Sequence, residues 1–168
     1  MSIINFADLA GIRSKHKDKK IVFCSGTFDL THAGHVLFFE DCREYGDIIV
    51  VAVGSDFNAK LFSKGKGRPV QNEHVRLKMV SSLKPVDYAF IDPNAENNNW
   101  FPLLKVFFEK LKPDYYIINK DASDIVLREN IVRDYPVKMV IIDRVAPKEF
   151  DGISTTKMIN KIKNEVEK

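Results

Sequence analysis

The sequence has few of the features that stabilise or anchor unusual classes of protein. Its two cysteines, Cys24 and Cys42, form no CxxC pair and have no histidine pair at zinc-ligand spacing. We therefore expect both to be reduced thiols in the core. No apolar run reaches the ~18 residues that a membrane span needs. The N-terminal segment has no apolar core of the signal-peptide kind, so a cytoplasmic protein with no membrane contact is expected.

An excess of charge of one sign is also missing. Lys and Arg number 26 against 23 Asp and Glu, a net charge of +3. This excess is too small to indicate binding of nucleic acid or of an anionic membrane. Hydrophobic residues at 45% and charged residues at 29% are typical of a globular domain. The 168 residues suit a single domain, 1–168, in which 1–19 contribute a leading helix and 20–166 the core.

Short runs of β-branched and other apolar residues alternate with helical patterns. The runs are apolar on consecutive positions, which is typical of strands buried on both faces. They are Ile21–Gly26, Asp47–Gly54, Val86–Ile91, Asp114–Asn119 and Val137–Asp143. Helices are predicted for Asn5–Lys15, His35–Tyr45, Asn72–Leu83, Trp100–Leu111, Ile125–Asp134 and Ser154–Val166. The alternation predicts an α/β fold whose five-stranded, mostly parallel sheet has helices on both faces and binds its ligand at the carboxyl ends of the strands.

The segment GTFDLTHAGH follows the first predicted strand and has the features of an anion site. Gly26 and Thr27 offer backbone N–H groups and a hydroxyl, and the helix that begins near His35 directs its dipole into the same space. Gly34 has no Cβ to keep a phosphate away from the backbone. His32 and His35 are spaced so that both imidazoles can donate hydrogen bonds to phosphate oxygens.

A second hydroxyl-rich segment, DGISTTKMI, opens the last predicted helix. Ser154 is a suitable N-cap for that helix. Ser154, Thr155 and Thr156 together either only cap the helix or also form a cradle for phosphate at its N-terminus.

These two segments resemble the two signatures of the cytidylyltransferase-like nucleotidyltransferases, the HxGH superfamily. The resemblance implies a Rossmann-like, doubly wound fold. It implies that His32 and His35 bind a nucleoside triphosphate and stabilise the transition state, and that the hydroxyl segment holds the β- and γ-phosphates. It also places Gly26, Thr27, Phe28 and Gly34 at the nucleotide. The acidic residues form no metal-ligand pattern, so Mg²⁺ is expected as a cofactor that arrives with the nucleotide, held by phosphates and water.

A basic loop, KLFSKGKGRPV, and the helix after it complete the expected catalytic set. By the same resemblance, a lysine of this loop contacts the α-phosphate or the acceptor phosphate. Lys66 is our choice, with Lys64 and Lys60 as alternatives. Arg76 stands where the family has a phosphate-binding arginine on the next helix.

Within the superfamily the chain is most similar to the adenylyltransferase domain that activates heptose phosphate for lipopolysaccharide core synthesis. The similar segments are KDKKIVFCSGTFD, GRPV with Arg76 downstream, and DGISTT. Glycerol-3-phosphate cytidylyltransferase is a near neighbour. The heptose-phosphate enzymes have a KGGD loop after the fourth strand, whereas residues Ile118–Asp121 of this chain keep only the aspartate. By the resemblance Asp121 is expected at the base, and ATP is favoured by the similarity to the heptose-phosphate enzymes, whereas the altered loop leaves CTP as the alternative.

The expected function is transfer of a nucleoside monophosphate to a small phosphorylated acceptor, such as heptose 1-phosphate, with release of pyrophosphate. The alternatives are a CTP-dependent enzyme for glycerol 3-phosphate or another polyol phosphate, an FMN adenylyltransferase, and a nucleotide-binding protein without catalysis. The resemblance also implies a homodimer. Asp29 is interpreted as a structural residue that binds loop amides, and Phe57 and Trp100 as core residues.

Overall fold

Six parallel strands form one sheet in the order β1-β4-β3-β2-β5-β6. The computed structural model describes residues 2–63, 67–143, 147–150 and 153–166. The strands are β1 Ser2–Ile3, β2 Ile21–Gly26, β3 Ile48–Val53, β4 Tyr88–Ile91, β5 Tyr115–Asn119 and β6 Lys138–Ile142. The five predicted strands are all present, and their spatial order is that of a Rossmann-like sheet.

The sixth strand, β1, was not predicted. Its two residues pair with Tyr88 and Ala89 of β4 at the edge of the sheet. A strand this short carries no sequence period from which it can be recognised. Residues 1–19 were predicted to contribute a helix alone, but they provide this strand, a 3₁₀ turn at Phe6–Asp8 and a helix that begins only at Leu9.

Helices cover both faces of the sheet, as predicted. They are α1 Leu9–Lys15, α2 Ala33–Arg43, α3 Asp56–Leu61, α4 Glu73–Ser81, α5 Phe101–Leu111, α6 Ile125–Val132 and α7 Thr155–Val166. The short helix α3 was not predicted. Its N-terminus is capped by Ser55, whose Oγ accepts a hydrogen bond from the Asn58 backbone N–H.

Alternate strand residues enter two separate cores. Phe23 and Tyr116 pack with α1, α5 and α6 on one face, while Val22 and Cys24 pack with α2 and α4 on the other. The prediction of core positions was right for Trp100, which is 4% exposed, and for both cysteines, which are buried free thiols. It was wrong for Phe57, which is 40% exposed, because it lies on the outer side of α3.

The order of the strands places a crevice between β2 and β5. The chain runs from β2 through β3 to β4 on one side and then returns to β5 and β6 on the other. Loops that follow β2 and β5 therefore leave the sheet in opposite directions, which opens a site at their carboxyl ends.

Candidate active site

A cavity of about 330 Å³ lies at the carboxyl ends of β2 and β5. The structure brings every residue predicted to contact the nucleotide to the wall of this cavity. They are Gly26, Thr27, Phe28, His32, Gly34, His35, Asp121, Ser154, Thr155 and Thr156. Segments far apart in the sequence thus meet in one place, and their contact with a nucleotide stays a prediction.

The loop after β2 is shaped by a close contact between Gly26 and Phe28. A Cβ on Gly26 would lie only 3.0 Å from the Phe28 Cζ atom, so any larger residue here would push the ring out of this position by a few tenths of an ångström. Phe28 and Leu30 both have left-handed backbone angles, with φ of 53° and 46°. The Phe28 ring packs edge-on against His35 at 5.6 Å and also contacts Phe39. The Phe28 ring thus both supports the His35 ring and lines the cavity.

The two signature histidines stack at the N-terminus of α2, with ring centroids 4.0 Å apart and planes at 26°. The Nδ1 atom of His32 accepts a hydrogen bond from the Gly34 backbone N–H at 3.1 Å. The Nδ1 atom of His35 accepts one from the His32 backbone N–H at 3.3 Å. In the neutral form each ring therefore carries its proton on Nε2, which makes that atom a hydrogen-bond donor.

Asp29 joins the loop after β2 to the segment that precedes α4. Its carboxylate accepts hydrogen bonds from the backbone N–H groups of Val70 and Gln71 at 2.9 and 3.0 Å. The side chain is 7% exposed. The prediction that Asp29 binds loop amides is confirmed.

A hydrogen bond from α7 brings the second signature to the first. The Thr155 Oγ1 atom donates to the Asp29 backbone oxygen at 2.8 Å. Ser154 caps α7 as predicted, because its Oγ accepts from the Lys157 backbone N–H at 3.2 Å. The Thr155 proton is thereby used within the protein, whereas the exposed Thr156 lies on the cavity wall. Ser154 also lines the cavity, and donation to a phosphate by Ser154 and Thr156 stays a prediction.

Arg76 takes a position that differs from the prediction of a phosphate contact. The side chain is 0% exposed and is not part of the cavity wall. Its Nε donates to the Gln71 carbonyl at 3.0 Å, Nη1 to the Thr27 carbonyl at 2.8 Å and Nη2 to Asp56 Oδ1 at 2.8 Å. The guanidinium faces the back of the site loop, because α4 packs against the sheet on this side.

The structure describes only part of the basic loop from which the catalytic lysine was predicted. Lys66, the predicted catalytic lysine, and Lys64 lie outside the described residues. Lys60 is exposed on α3 and does not line the cavity. Arg68, which belongs to the same sequence pattern but was not selected, is half-buried on the cavity wall.

The loop after β5 gives the cavity a different edge from the glycine-rich one of the resembling enzymes. Asn119 and Asp121 line the cavity. Lys120 is directed away from it, because its Nζ forms an exposed ion pair with Asp143 at 2.6 Å. The amide of Asn119 therefore stands at the edge where the base is expected.

Sequence reasoning missed Arg128 on α6, which is 7% exposed and lines the same cavity. A signal for it was present. Arg128 stands three positions from both Ile125 and Ile131, on the apolar stripe of its helix. A cation on such a stripe indicates a buried charge.

None of the helices in the described part of the chain is long and apolar enough to cross a membrane. Across the same ranges, no group of three or more His, Cys, Asp or Glu residues is placed to hold a metal ion.

Known proteins share both the sequence and the fold. The chain is 37% identical over 151 residues to the bifunctional protein HldE of Campylobacter jejuni subsp. doylei, and 34% identical over 163 residues to that of Geobacter metallireducens. These alignments cover 89% and 95% of this chain but only 29% and 31% of the relatives. The chain thus spans less than a third of their length.

Solved structures of two other proteins share the fold of this chain. A lipopolysaccharide core biosynthesis protein from Thermoplasma volcanium superposes with a TM-score of 0.63 at 28% identity, covering 76% of this chain and 99% of that one. A pantothenate synthetase from Thermus thermophilus superposes equally well, at 0.63, over 94% of this chain and 67% of that one, but at 17% identity it shows the fold alone. The cytidylyltransferase-like family model matches residues 23–161, which include both signature segments and the whole crevice between β2 and β5. The chain therefore belongs to the cytidylyltransferase-like family.

Proposed function

We propose that this chain transfers a nucleoside monophosphate from a nucleoside triphosphate, ATP being favoured, to a small sugar phosphate such as heptose 1-phosphate. Pyrophosphate is the second product. The observation that carries the proposal is the hydrogen bond between Thr155 and Asp29, which holds the α7 N-terminus beside the stacked histidines on one cavity. Two groups of phosphate ligands from opposite ends of the chain meet there.

The proposed reaction is a direct in-line displacement. An oxygen of the acceptor phosphate forms a bond to the α-phosphorus, and the bond between that phosphorus and the bridging oxygen to the β-phosphate breaks. The electron pair leaves on pyrophosphate. Because phosphate monoesters are ionised at neutral pH, the protein needs no general base, and catalysis consists of positioning and charge stabilisation.

The positions of the described side chains support a role for each, and the role of Lys66 rests on the family resemblance alone. The Nε2–H groups of His32 and His35 donate to the triphosphate as charge moves toward pyrophosphate. Ser154 and Thr156 hold the β- and γ-phosphates. Lys66 supplies a cation from the basic loop. The buried Arg76 acts as a positioning residue through the Thr27 carbonyl.

We propose that the divalent cation of the reaction is Mg²⁺ and that it enters with the nucleotide. Asp29 is occupied by two backbone N–H groups, so the ligands would be phosphate oxygens and water. Bound there, Mg²⁺ would neutralise triphosphate charge. We further propose a homodimer in the cytoplasm, which sedimentation and cell fractionation test.

The test is pyrophosphate release from ATP, CTP, GTP and UTP, each with heptose 1-phosphate, glycerol 3-phosphate or FMN, with and without Mg²⁺. We expect release with ATP and heptose 1-phosphate. His35→Ala should lower kcat by ~10²–10³. The matched control is His74→Ala, because His74 is 80% exposed on α4 and away from the cavity. Equal turnover of His35→Ala and wild type would refute the assignment of this site to nucleotidyl transfer.

A second candidate is supported by the loop after β5. Asn119 presents an amide where the resembling enzymes have glycine, and an amide can pair with the edge of cytosine as well as with that of adenine. Release with CTP and glycerol 3-phosphate, and none with ATP, would establish this candidate instead. Tight nucleotide binding with no release in any combination would indicate a non-catalytic protein.

A further inference from the structure

A second cavity of about 200 Å³ opens beside the first and shares part of its wall. The common wall includes Ser25 at the end of β2 and Arg128 on α6. Of the residues predicted to contact the nucleotide, only Gly26 and Thr27 also line the second cavity, and the signature histidines and the α7 hydroxyls do not. A triphosphate held by the histidines and hydroxyls would therefore leave most of the second cavity empty for another substrate.

Arg128 is a buried cation at the junction of the two cavities. Its Nε donates to the Ser123 carbonyl at 2.9 Å, and its Nη1 donates to the Tyr116 hydroxyl. The guanidinium carbon lies 5.1 Å from the Trp100 ring centroid and 5.5 Å from that of Phe101. These contacts fix the plane of the guanidinium and place its charge over two aromatic rings.

No anion within the described residues balances this charge. No carboxylate there forms an ion pair with Arg128, and its Nη2 makes no hydrogen bond to this part of the chain. Tyr116 does not supply a negative charge either, because burial raises the pKa of its hydroxyl and keeps it protonated. A buried cation without an ion-pair partner is costly, so its position on a cavity wall points to an anionic ligand.

The neighbouring side chains hold Arg128 in place. Asp92 accepts hydrogen bonds from the Trp100 indole N–H at 2.7 Å and from the Asn58 side-chain amide at 2.7 Å. The Trp100 ring, which lies under the guanidinium, is thus held by Asp92, and Asp92 and Asn58 both line the second cavity. On the other side, Tyr116 is hydrogen-bonded to Ser25 at 3.1 Å. The arginine is therefore preorganised for a ligand rather than mobile.

We propose that the second cavity is the acceptor site and that Arg128 binds the phosphate of the acceptor, a small polyol or sugar phosphate. The proposal rests on the transferase function above. Its geometry fits that function, because the attacking phosphate oxygen must meet the α-phosphorus where the two cavities join. Arg128 is the cation at that junction, and its planar fork suits a phosphate dianion.

The chain carries its own reporter for this site, because Trp100 is the only tryptophan. We would titrate glycerol 3-phosphate, heptose 1-phosphate and inorganic phosphate into the protein with a non-hydrolysable ATP analogue present. Tryptophan emission and calorimetry would be followed together, with glycerol as the uncharged control. We expect the phosphates to change the emission and glycerol not to.

The variants are Arg128→Gln, Arg128→Lys and the matched control Arg133→Gln, because Arg133 is exposed at the end of the same helix. Arg128→Gln should raise the Kd of the phosphorylated acceptor roughly 10- to 100-fold, the range for a lost hydrogen bond to a charged group, while the Kd of the ATP analogue stays within about twofold. Arg128→Lys should fall between, and Arg133→Gln should match wild type. If Arg128→Gln does not fold, as judged by circular dichroism, Arg128→Lys carries the comparison.

The proposal would be overturned by the absence of phosphate binding in wild type, by acceptor binding that is unchanged in both Arg128 variants, or by a larger effect on the ATP analogue than on the acceptor. The last would assign Arg128 to the nucleotide. Failure of the proposed transferase function gives a different result from failure of the acceptor site. If only the transferase function is wrong, no pyrophosphate is released, but phosphate binding that depends on Arg128 persists. Conversely, normal pyrophosphate release with an unchanged acceptor KM in Arg128→Gln would refute the acceptor site alone.

Discussion

Arg76 offers the sharpest contrast between the phosphate contact predicted from the sequence and the positioning role proposed from the structure. Its guanidinium donates three hydrogen bonds, to the Gln71 and Thr27 carbonyls and to Asp56. Arg76→Met removes all three, and Arg76→Lys keeps the charge but can retain about one of them. The two variants therefore separate loss of charge from loss of the fork geometry.

The magnitude follows from these contacts. Hydrogen bonds to charged groups contribute about 1.5–3 kcal/mol each. The bond to Asp56 counts for less, because that side chain is 38% exposed and can be hydrated when Arg76 is removed. We expect the free energy of unfolding to fall by roughly 3–5 kcal/mol in Arg76→Met and roughly 2–3 kcal/mol in Arg76→Lys. Stabilities of about 5–15 kcal/mol are typical of domains, so Arg76→Lys should remain folded.

The assay combines urea unfolding, followed by circular dichroism, with steady-state kinetics. If Arg76 is a positioning residue, kcat should fall together with the free energy of unfolding in Arg76→Met, and Arg76→Lys should keep part of both. Arg133→Met is the control, with an expected change within about 0.5 kcal/mol because Arg133 is exposed. The reasoning is refuted if both Arg76 variants unfold like wild type while the KM for the triphosphate rises tenfold or more. That pattern would mean that Arg76 contacts phosphate directly.

Three other outcomes are expected. Thr155→Val removes the donor to Asp29 and should cost about 1 kcal/mol of unfolding free energy while raising the KM for the triphosphate; an unchanged KM in a less stable protein would limit Thr155 to a structural role. Cys24 and Cys42 should not react with an exposed-thiol reagent at pH 8 until urea is added, because both are buried and burial raises the pKa of the Cys24 thiol well above 9.0. Burial also raises the pKa of Tyr116 above 10.0. Above that pH the unfolded chain binds fewer protons than the folded one, so the free energy of unfolding should fall as pH rises. Urea titrations at pH 8 and 10.5 test this, and a decrease between the two pH values that is the same in Tyr116→Phe would contradict it.

The elements that the sequence predicted well are those with a strong local pattern. Buried parallel strands are apolar at every position, so β2 was predicted to the residue at Ile21–Gly26 and the other long strands to within two residues. By contrast, β1 is defined only by its pairing with β4, and α3 is a six-residue helix after a serine cap. Neither has a period long enough to detect.

The candidate site divides in the same way. The histidine and hydroxyl segments each begin a helix and each have a local signature, so their residues were identified in advance. Arg76 and Arg128 lie on helix faces where the sequence shows only a cation. Their roles depend on what the neighbouring segments place opposite them, namely the Thr27 carbonyl for one and the second cavity for the other. Tertiary position is not contained in a local pattern.

Following the α-phosphorus of the triphosphate distinguishes nucleotidyl transfer from transfer of the γ-phosphate and from hydrolysis. ATP labelled at the α-phosphate or at the γ-phosphate would be incubated with heptose 1-phosphate and Mg²⁺, and the products separated. We expect the α-label to enter a nucleoside diphosphate sugar and the γ-label to leave in pyrophosphate. Transfer of the γ-label to the acceptor, or recovery of the α-label only as free AMP, would contradict it.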